Sequence, residues 1–271
     1  MNFFTKLLNK FKFAKEMSSL GGDNRSKVIL YLICFWSLFR NKLNININFQ
    51  TKLLLRKDNT FFNFNITDDS DFLILKEIFL DNEYDCNLEK DPEVIFDLGS
   101  NVGLSVIYFK LKYPQAKIFA FEPDSVTFEK LKINLEQFSD VYCYNMAISE
   151  HNGLEKFYSC TNRSMSSSLV QRVEIESSQK IIEVQSKNLD TLMAEFAISK
   201  IDLIKFDVEG AEYDVFKNFK NICLVNNVIG ELHLDLIKES KENFVDLFKN
   251  FSVQLRPTSS CRFLFKAKIQ L

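Results

Sequence analysis

The spacing of apolar positions changes character along this chain, and each change marks a predicted element. Residues 28–39 form a nearly unbroken apolar run, at roughly twelve residues too short to span a bilayer, which takes about 20. Ile45, Ile47 and Phe49 then alternate with Asn46 and Asn48, the period of a half-buried strand. Leu53 to Leu55 and, beyond an Asp58-Asn59 turn, Phe61, Phe62 and Phe64 predict two more short strands. Phe72, Leu75, Ile78 and Phe79 take up helical spacing over residues 69–79, with Asp69 or Ser70 as the cap.

From Val94 the rhythm becomes regular. Val94, Ile95 and Phe96 make an apolar run without alternation, the sign of a central parallel strand covered on both faces. Further strands are predicted over residues 117–122, 141–144, 201–206 and 225–232, with helices over 104–112, 124–138, 188–197 and 241–250. A strand pair over 252–256 and 262–268 closes the set. Residues 150–186 break the rhythm: strand-like pieces at 154–158 and 181–184 flank a serine run at 164–168. The pattern predicts an α/β domain over residues 91–271, preceded by an extension of helices and short strands over 1–90 that serves as a lid or platform.

Composition bounds this picture. A chain of 271 residues that is 46% hydrophobic and 14% aromatic can bury a large core. Its net charge of −2 gives no whole-protein attraction to nucleic acid. The cysteines Cys34, Cys86, Cys143, Cys160, Cys223 and Cys261 are scattered, with no C-x-x-C pair, so they read as thiols of a reducing, cytoplasmic compartment rather than zinc ligands. Residues 1–44 are basic, with eight Lys and Arg against Glu16 and Asp23. They read as a helix or two packed on the main domain, or as a basic amphipathic segment touching the inner membrane surface or a partner.

The candidate chemistry sits at the carboxyl ends of the strands. Asp97-Leu98-Gly99-Ser100-Asn101-Val102-Gly103 places two of the chain's seven glycines at one strand-to-helix joint, where ligands of open α/β sheets bind. The spacing is not G-x-G-x-x-G, and a carboxylate in the turn repels a pyrophosphate while accepting an ammonium group. Glu122-Pro123 ends the next strand, where an acid accepts the hydroxyls of a ribose. A ribose acceptor plus an ammonium acceptor without a phosphate cradle describes S-adenosylmethionine better than NAD. Asn145, Met146 and Ala147 follow the third strand and are placed to border an adenine ring. Asp207, Glu209 and Glu212 crowd the end of the fourth strand, and a helix amino terminus explains one or two of them but not Asp207 well. Glu231 and His233 end the fifth. The serine run, including Ser166 and Ser167, reads as a loop or as a substrate contact, and Glu209 and Glu212 are further candidate substrate contacts.

Three of these motifs, Val94 to Gly103, Phe119-Ala120-Phe121-Glu122-Pro123 and Ile204 to Glu212, together resemble the FkbM-type methyltransferases. The resemblance implies a class I, Rossmann-like seven-stranded fold with an antiparallel last strand, binding S-adenosylmethionine. It implies O-methylation of a hydroxyl, often on a sugar of a bacterial surface glycan or on a secondary metabolite. By position, Asp97, Gly99, Asn101 and Gly103 form the methionine-side turn, Glu122 holds the ribose, Asn145 to Ala147 line the adenine, and Asp207 is an active-site acid. The base is then His233 or Asp207; alternatively, Asp207 with Glu231 holds a Mg²⁺. The rival classes are an NAD-dependent oxidoreductase and a non-catalytic nucleotide-binding module.

Overall fold

The computed structural model describes residues 3–43, 50–67, 69–160, 168–170 and 179–270. The chain divides into two compact units, Met1–Glu83 and Tyr84–Leu271. The strand expected at residues 45–49 lies outside the described residues.

In the first unit, helices α1 (Phe3–Ser19) and α2 (Asn24–Leu43) precede a hairpin of β1 (Thr51–Lys57) and β2 (Thr60–Ile66), followed by α3 (Asp69–Phe79). The hairpin turns at Asp58, whose φ of 52° suits a short polar residue. Alternation buries Leu53 and Leu55 on one strand and Phe62, Phe64 and Ile66 on the other; Phe62 stacks on Phe79 of α3 at 5.1 Å. The joint between α1 and α2 seals the free edge of β1. Gly22 N–H donates to Leu54 O at 2.8 Å, Arg56 N–H to Leu20 O at 2.7 Å, and Leu54 N–H to Ser26 Oγ at 3.0 Å, so these backbone groups are not left open for a stray strand. Among the described residues no helix is long and apolar enough to cross a membrane.

The second unit is built on a seven-stranded sheet. Its strands are β3 (Val94–Leu98), β4 (Lys117–Phe121), β5 (Val141–Tyr144), β9 (Ile201–Phe206), β10 (Val225–His233), β11 (Phe251–Pro257) and β12 (Arg262–Ile269). They lie in the order β11-β12-β10-β9-β3-β4-β5. β12 runs antiparallel to both of its neighbours, and the pairings from β10 through β5 are parallel. This is the expected class I order with its reversed last strand. Helices α4 (Leu104–Lys112), α5 (Ser125–Leu135), α6 (Leu189–Glu195), α7 (Glu212–Phe216) and α8 (Lys241–Asp246) connect the strands. α5 is capped by Asp124 Oδ1, which accepts from Val126 and Thr127 N–H. α5, α6 and α8 are shorter than their apolar patterns, because helix ends fray where the chain turns back to the sheet.

Phenylalanines fill the core: Phe206, Phe244 and Phe248 surround Phe265, with ring centres 4.8–5.8 Å away. The break in rhythm after β5 is a separate three-stranded sheet, β6 (Ala147–Ile148), β7 (Gly153–Cys160) and β8 (Gln179–Lys187), in the order β6-β8-β7. From β3 the chain winds through β4 to β5 on one side of the main sheet; β9 and β10 continue on the other. The switch point therefore lies between β3 and β9, the place where such sheets take their ligands.

Candidate active site

Asp97 and Lys205 are register partners across that switch point. Asp97 is fully buried, and Lys205 is 2% exposed. The Lys205 ammonium lies 3.2 Å from Asp97 Oδ1, donates to Gly99 O at 2.7 Å and sits 5.4 Å from the centre of the Tyr84 ring. Burial opposes its charge, but the carboxylates of Asp97, Asp207 and Glu231 outweigh burial and hold it above the ordinary lysine value. Beyond that ion pair, Asp97 Oδ2 has no hydrogen-bond partner among the described residues, nor does Asn101 Oδ1. Lys205 was not singled out from the sequence. The available signal was one lysine near the end of the apolar strand Leu203-Ile204-Lys205-Phe206.

The turn after β3 is made by left-handed residues: Gly99 at φ 73°, Asn101 at 48° and Gly103 at 94°. A Cβ on Gly99 would lie 1.9 Å from the Asp207 carbonyl oxygen, so the turn and the end of β9 are in direct backbone contact. Gly99→Ala adds that collision to a left-handed penalty of about 1–2 kcal/mol. The variant is expected to unfold several degrees below the wild type and to lose affinity for S-adenosylhomocysteine. Calorimetry checks both, and a variant that binds normally contradicts the turn's role.

Glu122 closes the far side of the turn. Its Oε2 accepts from Asn101 N–H at 3.0 Å and its Oε1 from Asp124 N–H at 2.9 Å. Burial pushes its carboxyl up to about 8, against these hydrogen bonds. Because the folded-state value lies above the unfolded one, ionising Glu122 costs the fold stability as pH rises from about 4.5 to about 8. Glu122→Gln leaves one backbone N–H without an acceptor but carries no charge. Its deficit in melting temperature against the wild type should therefore shrink between pH 5 and pH 9; a constant deficit contradicts the assignment.

Beside it, Asn145 Nδ2 donates to Glu122 O and Pro123 O at 2.8 and 2.9 Å, tying the β5 end to the β4 end. Met146 packs against the main core. Ala147 lies in β6, buried with Phe157 and Val184.

The second group of predicted residues gathers around His233, which is fully buried. His233 Nδ1 is 2.6 Å from Glu212 Oε1, and that oxygen also accepts from Gly210 N–H at 3.0 Å. Glu212 is thus a holder of the imidazole; the cap residue of α7 is Ala211. His233 Nε2 faces Glu231 at 3.4 Å, Glu209 at 3.6 Å and Asp207 at 4.0 Å. Glu231 and His233 reach the same space because they are two apart on one strand. Glu209 arrives through a left-handed turn, with φ 51° at Glu209 and 103° at Gly210. Neither His233 Nε2 nor Asp207 Oδ1 has a hydrogen-bond partner among the described residues. Burial disfavours charge on His233, but Glu212, Glu231 and Glu209 outweigh it and raise its pKa well above the ordinary value. Asp207 is raised by burial and by the Glu231 carboxylate, although its side chain remains 29% accessible. Ser166 and Ser167 lie outside the described residues.

Asp97, Gly99, Asn101, Gly103 and Glu122 therefore meet around one turn, while Asp207, Glu209, Glu212, Glu231 and His233 meet beside it. A sheet of this order with an acidic glycine turn at its switch point defines a class I methyltransferase that uses S-adenosylmethionine. The chain belongs to the FkbM methyltransferase domain family, whose model matches residues 97–263. It is 33% identical to methyltransferase sdnD of Sordaria araneosa over 190 residues, 58% of this chain and 73% of that protein. It is 31% identical to the 2-O-methyltransferase NoeI of Sinorhizobium fredii, over 49% of this chain and 60% of that one. It is 30% identical to the hexuronic acid methyltransferase AglP of Haloferax volcanii, over 53% and 57%. Membership removes the NAD-dependent oxidoreductase from the alternatives.

Proposed function

We propose that the protein transfers a methyl group to a hydroxyl, on a sugar of a glycan or glycoconjugate. The observation that carries this reading is the pair of buried, unpartnered polar atoms Asp207 Oδ1 and His233 Nε2, 4.0 Å apart, beside the glycine turn. An acceptor hydroxyl needs such a pair, one atom to take its hydrogen bond and one to hold its oxygen. The names of NoeI and AglP, a 2-O-methyltransferase and a hexuronic acid methyltransferase, support a sugar.

S-adenosylmethionine supplies a methyl already bonded to a good leaving group. The residues fit it: Asp97 Oδ2 and Asn101 Oδ1, which no described protein group satisfies, suit the methionine ammonium, and Glu122 suits the ribose hydroxyls. The protein's own task is then alignment, which can supply on the order of 7–11 kcal/mol. Asp207 takes the proton of the acceptor hydroxyl, a step that typically contributes roughly 10²–10⁴-fold. Glu212 fixes the His233 ring, and Glu209 and Glu231 contact the acceptor. Incubation with methyl-labelled S-adenosylmethionine and a panel of glycans, free uronic acids and polyhydroxylated metabolites tests this reading. Label in a sugar ether supports it; label confined to non-sugar hydroxyls, or to nitrogen, overturns it.

A further inference from the structure

We propose that Asp207, Glu209 and His233 form a binding site for a divalent transition-metal ion, with Glu231 alongside as a fourth donor. One ligand atom from each of the three residues lies within 4.8 Å of the others. Donor atoms around one ion, at roughly 2.0–2.2 Å from it, must sit about 3–4 Å apart, and the separations from His233 Nε2 to Glu231, Glu209 and Asp207 are 3.4, 3.6 and 4.0 Å. The acids alone do not make the argument. The independent observation is His233 Nε2, a nitrogen of a fully buried side chain that points into the cluster without a hydrogen-bond partner.

The surroundings of the ring match a metal ligand. Nε2 binds an ion through its lone pair, so the ion takes the place of the Nε2 proton while Nδ1 keeps its own. Glu212 Oε1 sits 2.6 Å from Nδ1 and is itself held by Gly210 N–H, the carboxylate–histidine arrangement that fixes tautomer and orientation in metal sites. The charge balance points the same way. Four carboxylates, Asp207, Glu209, Glu212 and Glu231, surround one imidazole. Two cations stand near them: Lys205, which pairs with Asp97 and also faces Asp207 and Glu231, and Arg262, which pairs with Asp235 and also faces Glu209 and Glu231. An imidazole with carboxylates suits Mn²⁺, Fe²⁺, Co²⁺ or Zn²⁺ better than Mg²⁺ or Ca²⁺, which prefer an all-oxygen shell.

In the reaction, such an ion would hold the acceptor oxygen and lower its pKa, the proton passing to the Asp207 oxygen that does not bind the ion. That role rests on the function proposed above; the binding of the ion does not.

The test is titration of chelator-treated, dialysed protein with Co²⁺ or Mn²⁺, followed by calorimetry and, for Co²⁺, by its visible absorption. Affinity for S-adenosylhomocysteine is read in the same samples. The wild type is expected to bind a single ion. Glu209→Gln, which removes a partly accessible ligand, and Glu212→Gln, a positioning change, should each weaken it by about tenfold or more, with S-adenosylhomocysteine affinity unchanged. The site is overturned if wild-type protein that binds S-adenosylhomocysteine takes up neither metal, or if Glu209→Gln binds as tightly as the wild type. Loss of S-adenosylhomocysteine binding with metal binding retained would count against the cofactor reading and leave the metal site standing.

Discussion

Lys205→Met is expected to lower the midpoint of thermal unfolding by about 10 °C or more. The substitution fills the same space but leaves Asp97, fully buried, without its compensating ammonium 3.2 Å away. Breaking a buried pair from one side typically costs about 3–5 kcal/mol, and about 1 kcal/mol moves the midpoint of a unit this size by roughly 2–4 °C. Two further donations are lost, to Gly99 O and more weakly to Leu98 O, so the turn should loosen as well. Adding Asp97→Asn to Lys205→Met removes the stranded charge and should restore part of the midpoint, though not cofactor affinity. Scanning calorimetry of both variants decides the matter. A single variant within a couple of degrees of the wild type would mean that the pair contributes little.

Asp207→Asn is expected to reduce kcat by about 10²–10⁴-fold while leaving affinity for S-adenosylhomocysteine within a few-fold. The change is isosteric and spares the backbone, whose N–H donates to Leu98 O at 3.0 Å. The carboxylate oxygen that no protein group satisfies becomes an amide, which cannot take a proton from the acceptor. Steady-state kinetics with the acceptor found by the labelling panel, next to a binding titration, measure the two effects separately. Turnover within tenfold of the wild type would remove Asp207 as the base; equal loss of both quantities would mean a structural role.

The legible parts of this molecule were those whose cause is local. The turn from Asp97 to Gly103 and the Glu122 strand end each carry their chemistry within a few residues, and the parallel sheet was readable because its central strands lack alternation. Lys205 was missed because its partner is made by register: Asp97 is more than a hundred residues away in the chain and directly opposite in the sheet. Glu212 was read as a helix-terminus acid and as a substrate contact; it does lie in the first turn of α7, but its side chain holds the imidazole of a residue 21 positions later. The two-residue strand Ala147–Ile148 was too short to show any period. It pairs with β8 and builds the side sheet, where only two strands had been expected. Pairings across the sheet therefore supplied what spacing along the chain did not contain.

Titration calorimetry with S-adenosylhomocysteine, on the wild type and Glu122→Ala, tests the central claim most directly. The wild type should bind, and at about 100 times the dissociation constant the ligand should stabilise the fold by about 2.7 kcal/mol. Glu122→Ala takes away the group proposed to accept the ribose hydroxyls, each such hydrogen bond being worth about 0.5–1.5 kcal/mol, and should weaken binding by roughly tenfold or more while remaining folded by circular dichroism. A folded wild type that does not bind, or a Glu122→Ala variant that binds as well as the wild type, would contradict the placement of the cofactor at this switch point.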